Sequence, residues 1–293
     1  MLSNEANMFR DLLLQMKHSD HPPQSVEEIR VMTDSVSDFS PVPDGVVITE
    51  AEIQGVVVEY IDPLNRSGKN VILYFHGGAY SAGSLKSHRS LGARLALASE
   101  SKVVMADYRL APENPFPAAL EDSLKVYLGL LSNGVDPQNI VIGGDSAGGG
   151  LSLATEVAIR DGGHSLPGKS FLFSPWTDLT ASGDSLRLRN DIDPMLDAKG
   201  MKPAIQIYLN GADASDHRAS PLLGDLSGLP PHLVFVGTDE ILFDDSFRLI
   251  EKFHDCNVEA TLEVGEGLWH VWPSFPMPEA DLALERVGEF ILG

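Results

Sequence analysis

The stretch Asn139-Ile140-Val141-Ile142-Gly143-Gly144-Asp145-Ser146-Ala147-Gly148 changes character half-way along its length. Its first half is short, apolar and β-branched, as is typical of a buried strand. The residues that follow, Leu151 to Arg160, have helical spacing and consist largely of good helix formers. The sequence therefore predicts a strand, a sharp turn at Ser146 and a helix, with small neighbours that permit a strained backbone at the turn.

A serine on such a turn is exposed at the end of the sheet and at the N-terminus of a helix. Backbone N–H groups and the helix dipole stabilise negative charge at that point. The pattern Gly144-Asp145-Ser146-Ala147-Gly148 has the G-x-S-x-G spacing of a nucleophile turn. We therefore predict Ser146 as a nucleophile and the Ala147 N–H as a donor to an oxyanion. A glycine-rich turn with an incidental serine is the alternative, because the pattern alone is weak.

A second glycine-containing loop precedes this turn in the chain. The apolar run Asn70 to Phe75 predicts a buried strand that leads directly into His76-Gly77-Gly78. Glycines after a strand let the backbone approach a ligand closely. We predict that Gly77 and Gly78 donate their N–H groups to the same oxyanion as Ala147. His76 could itself act as a base, but we expect its ring nitrogens to hold the loop.

A nucleophilic serine needs a base to accept its proton. The chain has nine histidines, and we predict His270 as the base. It follows a predicted strand, Val258 to Val264, and a short glycine-containing loop, and it precedes a final amphipathic helix near residues 279–292. Ligand chemistry in parallel sheets gathers at the carboxyl ends of strands, so a loop after a late strand is a suitable place for a base.

The base in turn needs a carboxylate that orients it. Asp239 follows the predicted strand His232 to Gly237, and ligand chemistry in parallel sheets gathers at the carboxyl ends of strands. We predict Asp239 as this acid, which gives the chain order Ser, Asp, His. Three other carboxylates compete for the role: Glu240, Asp244 and Asp245. Asp239 and Glu240 could also serve only as the N-terminal cap and first-turn acid of a following helix.

Three segments resemble the bacterial hormone-sensitive-lipase-like esterases, also called family IV. They are the turn at Ser146, the His76-Gly77-Gly78 loop and the stretch Tyr108-Arg109-Leu110-Ala111-Pro112-Glu113-Asn114-Pro115-Phe116-Pro117-Ala118. The resemblance implies an α/β-hydrolase core, a helical cap and hydrolysis of short-chain esters without a cofactor or metal. Two positions depart from the family pattern. Ala79 stands where members usually have a third glycine, and Asp239-Glu240-Ile241 replaces the usual Asp-Pro-Leu around the acid.

The order of predicted elements agrees with that fold. Strands and helices alternate between residues 70 and 174, which indicates a mostly parallel sheet covered by helices on both faces. Two alternating segments in 45–62 predict antiparallel edge strands. We assign residues 1–44 and 182–219 to the helical cap, and residues 45–181 and 220–293 to the catalytic core. In the second cap segment, Met195 and Leu196 face either the substrate or the interior of the cap.

Composition narrows the possible partners. The formal charge of −21 disfavours nucleic acid and anionic membranes. A single cysteine, Cys256, excludes an internal disulfide and suggests a reducing, cytoplasmic location. The N-terminus shows no signal-peptide pattern, no apolar run approaches membrane-spanning length, and no Cys/His spacing is typical of zinc.

The sequence thus predicts a carboxylesterase that hydrolyses short-chain acyl esters of small molecules through a Ser-His-Asp mechanism. A lactone hydrolase would use the same three residues. A non-catalytic small-molecule receptor of the same fold is a distant alternative, but such receptors lack the catalytic histidine. The family resemblance further implies a homodimer.

Overall fold

The structure is a computed structural model that describes residues 1–20, 23, 25–66 and 68–293. The gaps at His21, Pro22, Gln24 and Ser67 fall within the predicted ranges 1–44 and 45–181, and those four residues lie outside the described part. Eight strands form one sheet in the order β1-β2-β4-β3-β5-β6-β7-β8. Their bounds are β1 Val46–Ile53, β2 Val56–Pro63, β3 Val71–Phe75, β4 Lys102–Ala106, β5 Ile140–Asp145, β6 Lys169–Phe173, β7 His232–Gly237 and β8 Ala260–Gly265.

α-Helices connect most of these strands. Their bounds are α1 Asn4–Lys17, α2 Val26–Asp34, α3 Leu85–Ser99, α4 Ala118–Ser132, α5 Ala147–Asp161, α6 Ser185–Leu188, α7 Ala198–Leu209, α8 Phe243–Asp255 and α9 Pro278–Leu292. The strands and helices predicted between residues 70 and 174 are confirmed, with small shifts at their ends. The antiparallel pair predicted in 45–62 is confirmed as β1 and β2.

The sheet buries both of its faces. In β3, Ile72 and Tyr74 pack with α3 and α9 on one face, whereas Leu73 and Phe75 pack with α4 and α5 on the other. This division follows from the alternation of side chains along a strand. The mostly parallel sheet with helices on both faces, as predicted from the sequence, is therefore confirmed.

The register of the parallel strands sets the position of everything that follows them. Phe75 pairs with Gly144, Asp145 pairs with Phe173, and Gly237 pairs with Gly265. The strands therefore end at one common edge of the sheet, and the loops that leave β3, β5, β6, β7 and β8 meet there. Within the described residues, no helix combines the length and the apolar character that crossing a membrane requires.

Candidate active site

The residues predicted to act together all follow strands that end at this common edge. His76 follows β3, Ser146 follows β5, Asp239 and Glu240 follow β7, and His270 lies in the loop after β8. Crevices at the carboxyl ends of parallel strands are where such sheets bind ligands. The topology thus brings residues that are far apart in the sequence to one place.

The turn at Ser146 has the strained backbone that the sequence predicted. Ser146 has φ 53° and ψ −121°, and α5 begins at the next residue. Its N–H donates to Phe173 O at 2.9 Å, which ties the turn to β6. A Cβ on Gly148 would lie 2.0 Å from Phe75 O, so only glycine permits this packing of α5 against β3. Between residues 140 and 157, Ser146 is the one residue that is not buried.

The loop after β3 differs from the prediction at one donor. The Gly77 N–H donates to Asp145 Oδ1 at 3.0 Å, so it is already engaged by a carboxylate. Gly78 and Ala79 both have positive φ, of 122° and 53°. The N–H groups of Gly78, Ala79 and Ala147 form no hydrogen bond within the described part of the chain. These three groups, rather than Gly77, are free to bind an oxyanion.

The Asp145 carboxylate holds the two loops together. It accepts hydrogen bonds from the Tyr74 hydroxyl at 2.8 Å and from Gly77 N–H, and His88 Nε2 lies 3.4 Å from it. Burial alone would raise the pKa of Asp145, but His88 and the Tyr74 hydrogen bond outweigh it and hold the pKa below its ordinary value. Asp145 is therefore a stable anion that fixes the loop beside the serine turn.

His76 has a structural position at the start of the same loop. Its Nδ1 lies 2.8 Å from the Gly77 carbonyl, and its ring stacks on Tyr108 at 4.4 Å between centroids. Burial, with a smaller contribution from His88, lowers the pKa of His76 to about 4. The ring is thus neutral at pH 7 and donates to the carbonyl, as expected for a residue that holds the loop.

The buried imidazole of His270 faces Glu240. Their Nδ1 and Oε1 atoms are 3.8 Å apart, and neither atom has a hydrogen-bond partner among the described residues. The other carboxylate oxygen of Glu240 accepts from Ser174 Oγ at 2.7 Å and from Gly237 N–H at 3.2 Å. Ser174 Oγ accepts in turn from Val271 N–H at 3.0 Å. Ser174 therefore links the carboxylate to the residue that follows the base.

Asp239 lies apart from the base. Its carboxylate forms an ion pair with Arg10 at 2.7 Å, and a fifth of its side chain is exposed. Thr238 Oγ1 donates to its other oxygen at 3.0 Å. The structure thus brings Glu240 beside His270, where the sequence analysis expected Asp239. The Asp239 carboxylate lies on the outer face of the turn, whereas the carboxylate of the next residue, Glu240, lies on the buried face.

The two other competing carboxylates hold backbone segments instead. Asp244 accepts from Ser185 N–H, and Asp245 accepts from the N–H groups of Thr177 and Asp178. Burial raises the pKa of Asp245 to about 7, although those two hydrogen bonds oppose the shift. Neither carboxylate contacts His270 in the described part of the chain.

The charges around His270 favour its protonated form. Burial alone would lower the pKa of His270, but Glu240 overcomes that effect, with further contributions from Asp193 and Asp145. The net result is a pKa above the ordinary value of histidine. No hydrogen bond joins the Ser146 hydroxyl to His270 among the described residues.

The segment 182–219 supports the turn that carries Glu240. Asp193 is buried, and its Oδ2 accepts from the N–H of Ile241, the next residue after Glu240, at 2.9 Å. Arg189 donates to the carbonyl of Thr238 and stacks over Phe243 at 3.9 Å. The acid turn is therefore held from both sides by this segment.

Comparison with known proteins adds to this geometry. Residues 72–274 match the sequence family described as having the alpha/beta hydrolase fold. An acetyl-hydrolase from Streptomyces hygroscopicus is 36% identical over 99% of this chain and 97% of its own length. A solved esterase of the bacterial hormone-sensitive lipase family has a TM-score of 0.96 and 36% identity, with 99% of this chain and 98% of that chain covered. The esterase EstE5 has a TM-score of 0.94 and 39% identity over the same shares.

The chain belongs to the bacterial hormone-sensitive-lipase-like family of esterases. As a member of this family it is a carboxylic ester hydrolase with the α/β-hydrolase fold. These findings confirm the resemblance that we inferred from the turn at Ser146, the His76-Gly77-Gly78 loop and the stretch Tyr108–Ala118.

Two site features of this esterase have only weak signals in the sequence. Ser174 follows β6 at the same edge as the other residues, so the carboxyl-end rule that selected Asp239 also applies to it. Ala79 occupies the third glycine position of the family, and its N–H is a donor candidate because the backbone, not the side chain, supplies the group. Glu240 differs from these two, because the sequence already offered it as a candidate acid but could not rank it above Asp239.

The first prediction separates the two adjacent carboxylates of the esterase. We expect Glu240→Gln to lower kcat/KM by about 10²–10⁴-fold, because the imidazole loses its orienting anion. Asp239→Asn should cost about tenfold or less, because that carboxylate does not face the base. Steady-state kinetics on folded variants, verified by circular dichroism, make the comparison. A greater loss in Asp239→Asn than in Glu240→Gln would return the acid role to Asp239.

The pH profile gives the same variant a second readout. The base acts as neutral imidazole, so kcat/KM rises with pH through the pKa of His270 in the free enzyme. Since Glu240 raises that pKa, Glu240→Gln should shift the acidic limb of kcat/KM to lower pH. An unchanged limb would show that Glu240 does not act on the base.

Proposed function

We propose that the chain hydrolyses short-chain carboxylic esters through an acyl-enzyme on Ser146, with His270 as general base and Glu240 as the orienting acid. The observation that carries the proposal is the buried Glu240–His270 pair at the sheet edge where Ser146 is partly exposed. A small-molecule ester is the expected substrate. The proposal departs from the sequence prediction at two positions, since it replaces Asp239 by Glu240 and Gly77 by Ala79.

Acylation follows from the roles of these atoms. Ser146 Oγ attacks the ester carbonyl carbon while its proton passes to His270 Nε2, since Nδ1 faces Glu240. The carbonyl oxygen becomes an oxyanion and accepts from the N–H groups of Gly78, Ala79 and Ala147. Removal of one such donor typically costs about 3–4 kcal/mol of transition-state stabilisation. The intermediate collapses, and the alcohol leaves with the proton from His270.

Deacylation repeats the same steps with water. His270 takes a proton from water, the resulting hydroxide attacks the acyl carbon, and the oxyanion forms at the same donors. Collapse releases the carboxylic acid and returns the proton to Ser146 Oγ. Glu240 stabilises the imidazolium in both halves of the reaction, and no cofactor enters either of them.

The nucleophile assignment is tested by one substitution and one covalent probe. Ser146→Ala should lower kcat by several orders of magnitude and leave the fold intact, because the donors alone retain only a small part of catalysis. Mass spectrometry after treatment with an organophosphonate should find the adduct on Ser146. An adduct on another serine, or near-normal activity of Ser146→Ala, would overturn the assignment.

The N-terminal helices and the segment 182–219 support a limit on acyl length. We propose that residues 1–44 and 182–219 form a cap over the sheet edge. Tyr208 of α7 stacks on Tyr80 in the loop after β3, which we call the oxyanion loop. The ring centroids are 3.7 Å apart, and both rings are buried. Such an aromatic contact holds the cap against the loop and gives the acyl site a rigid wall.

We therefore expect a preference for acyl chains of about two to six carbons, since each CH₂ buried from water contributes about 0.8 kcal/mol until the chain outgrows the site. Measuring kcat/KM across p-nitrophenyl esters from acetate to palmitate checks this. The related EstE5 was soaked with p-nitrophenyl butyrate, which makes the butyrate ester a suitable reference. A maximum at about twelve carbons or beyond, or a rate increase at the micelle threshold, would indicate a true lipase.

Lactone hydrolysis by the same residues is the alternative within this class. A ring-opened hydroxy acid would form by identical steps, so only relative rates separate the two activities. A panel of ε-lactones assayed beside the acyl esters decides between them. Higher kcat/KM for a lactone than for every acyl ester would make lactone hydrolysis the principal activity.

We also propose that the esterase is a homodimer in the cytoplasm. Among the described residues, the edge strand β8 pairs only with β7, and Val264 on it is 48% exposed. Unpaired edges of this kind bind a second strand readily, and symmetric dimers are the commonest oligomers. Light scattering at micromolar concentration should give twice the chain mass. A monomer mass would reject the dimer.

A further inference from the structure

Helix α1 is attached to the core by a few directed contacts. Ala6 is its one buried residue, while Met8, Leu12 and Met16 are exposed. Ser3 at its N-terminal cap donates its N–H and hydroxyl to Glu279 at 2.6 and 2.8 Å. Phe9 and Leu13 are partly buried against the core, and the polar contacts add to this limited apolar packing.

Arg10 makes the most extensive of these contacts. Its guanidinium donates to Asp239 Oδ2 at 2.7 Å, to Gly267 O at 3.0 Å and to Ile192 O at 3.2 Å. About a quarter of its side chain is exposed. The three acceptors belong to three different segments: the turn that carries Glu240, the loop that carries His270, and the second part of the proposed cap.

The first two of these segments also contact each other directly. The Asp239 N–H donates to Leu268 O at 2.9 Å, and the Gly267 N–H donates to Thr238 Oγ1 at 2.8 Å. The acid turn and the base loop thus form one connected unit at the end of β7 and β8. The planar guanidinium of Arg10 contacts both parts of this unit, through Asp239 and the Gly267 carbonyl.

Helix α1 also supports the base loop through aromatic packing. Phe9 meets the ring of Phe275 edge-on at 5.5 Å, and Phe275 meets Trp269 edge-on at 5.3 Å. Trp269 is fully buried and directly precedes His270. Phe9, the neighbour of Arg10 in the sequence, is therefore linked through the ring of Phe275 to Trp269, the residue before His270.

We propose that Arg10 is a positioning residue: its guanidinium joins the proposed cap to both the acid turn and the base loop, and holds Glu240 and His270 within reach of each other. Asp239 is the anchor of this contact. The inference rests on the proposed function, since that function assigns the roles of Glu240 and His270. A guanidinium suits the task because its planar fork fixes the directions of its donors, whereas a lysine ammonium is a point charge on a flexible stem.

The test compares Arg10→Ala, Arg10→Lys and Asp239→Asn with wild type, with Lys17→Ala as the matched control. Lys17 lies on the same helix and donates to Asn190 O and Asp193 O. It therefore joins the two cap segments without contact to Asp239 or Gly267. Hydrolysis of p-nitrophenyl butyrate gives kcat and KM, and kcat/KM is followed against pH.

We expect Arg10→Ala to lower kcat by about tenfold and to change KM by less than about threefold, because misplaced catalytic groups slow the chemical step. Asp239→Asn should show a similar loss, and the double variant should be no worse than either single one. Arg10→Lys should lie between Arg10→Ala and wild type. Lys17→Ala should keep wild-type kcat.

The pH profile separates positioning from a direct charge effect. The charged groups that act on His270 include Glu240, Asp193 and Asp145. If Arg10 acted only as a nearby cation, its removal would favour imidazolium and move the acidic limb of kcat/KM to higher pH. If its removal loosens Glu240 from His270, the limb moves to lower pH. We expect the shift to lower pH.

An unchanged kcat and limb in Arg10→Ala, with only a lower Tm or a higher KM, would overturn the inference and leave Arg10 as a structural anchor. If Arg10→Ala does not fold, Arg10→Lys and Asp239→Asn give the same two readouts. The proposed function fails separately, when the wild type does not hydrolyse the ester or when Ser146→Ala is equally active.

Discussion

The strained turn at Ser146 is the constraint on which the site depends. A non-glycine residue at φ 53° is costly, and it persists only where surrounding contacts fix it. Here the Phe173 carbonyl fixes the N–H of the turn, and the close approach of Gly148 to Phe75 O sets α5 against β3. Both contacts come from strands adjacent to β5. The sheet register therefore decides where the nucleophile stands, and only Ser146 protrudes from an otherwise buried stretch.

Buried carboxylates organise the remainder of the site, and each has donors that make its burial tolerable. Asp145 receives Tyr74 and Gly77 and fixes the oxyanion loop. Glu240 receives Ser174 and Gly237 and keeps one oxygen for the base. Asp193 receives the Ile241 N–H from the turn of Glu240. Their combined charge raises the pKa of His270 and so favours the imidazolium that the proposed mechanism requires.

The two segments outside the core also contact opposite halves of this site. Tyr208 and Arg30 reach the oxyanion loop, through the ring of Tyr80 and the carbonyl of Ser81. Arg10 reaches the acid turn and the base loop. We propose that these segments form a cap that contributes to the position of the reacting groups as well as to the shape of the substrate site.

The sequence by itself determined the parallel sheet, the strained turn at Ser146 and the loop after β3, and it led us to propose His270 as the base, because each depends on local features: β-branched runs, small residues at a turn and the order of elements. It also limited the acid to four carboxylates within seven residues of one another. Only the tertiary structure distinguished Glu240 from Asp239 beside His270, and found Gly77 engaged by Asp145. Asp239 and Glu240 are adjacent on a turn and point in different directions. Which of them is buried beside His270 depends on contacts with Arg10, Ser174 and Asp193, which lie far away in the sequence and meet the turn only after folding.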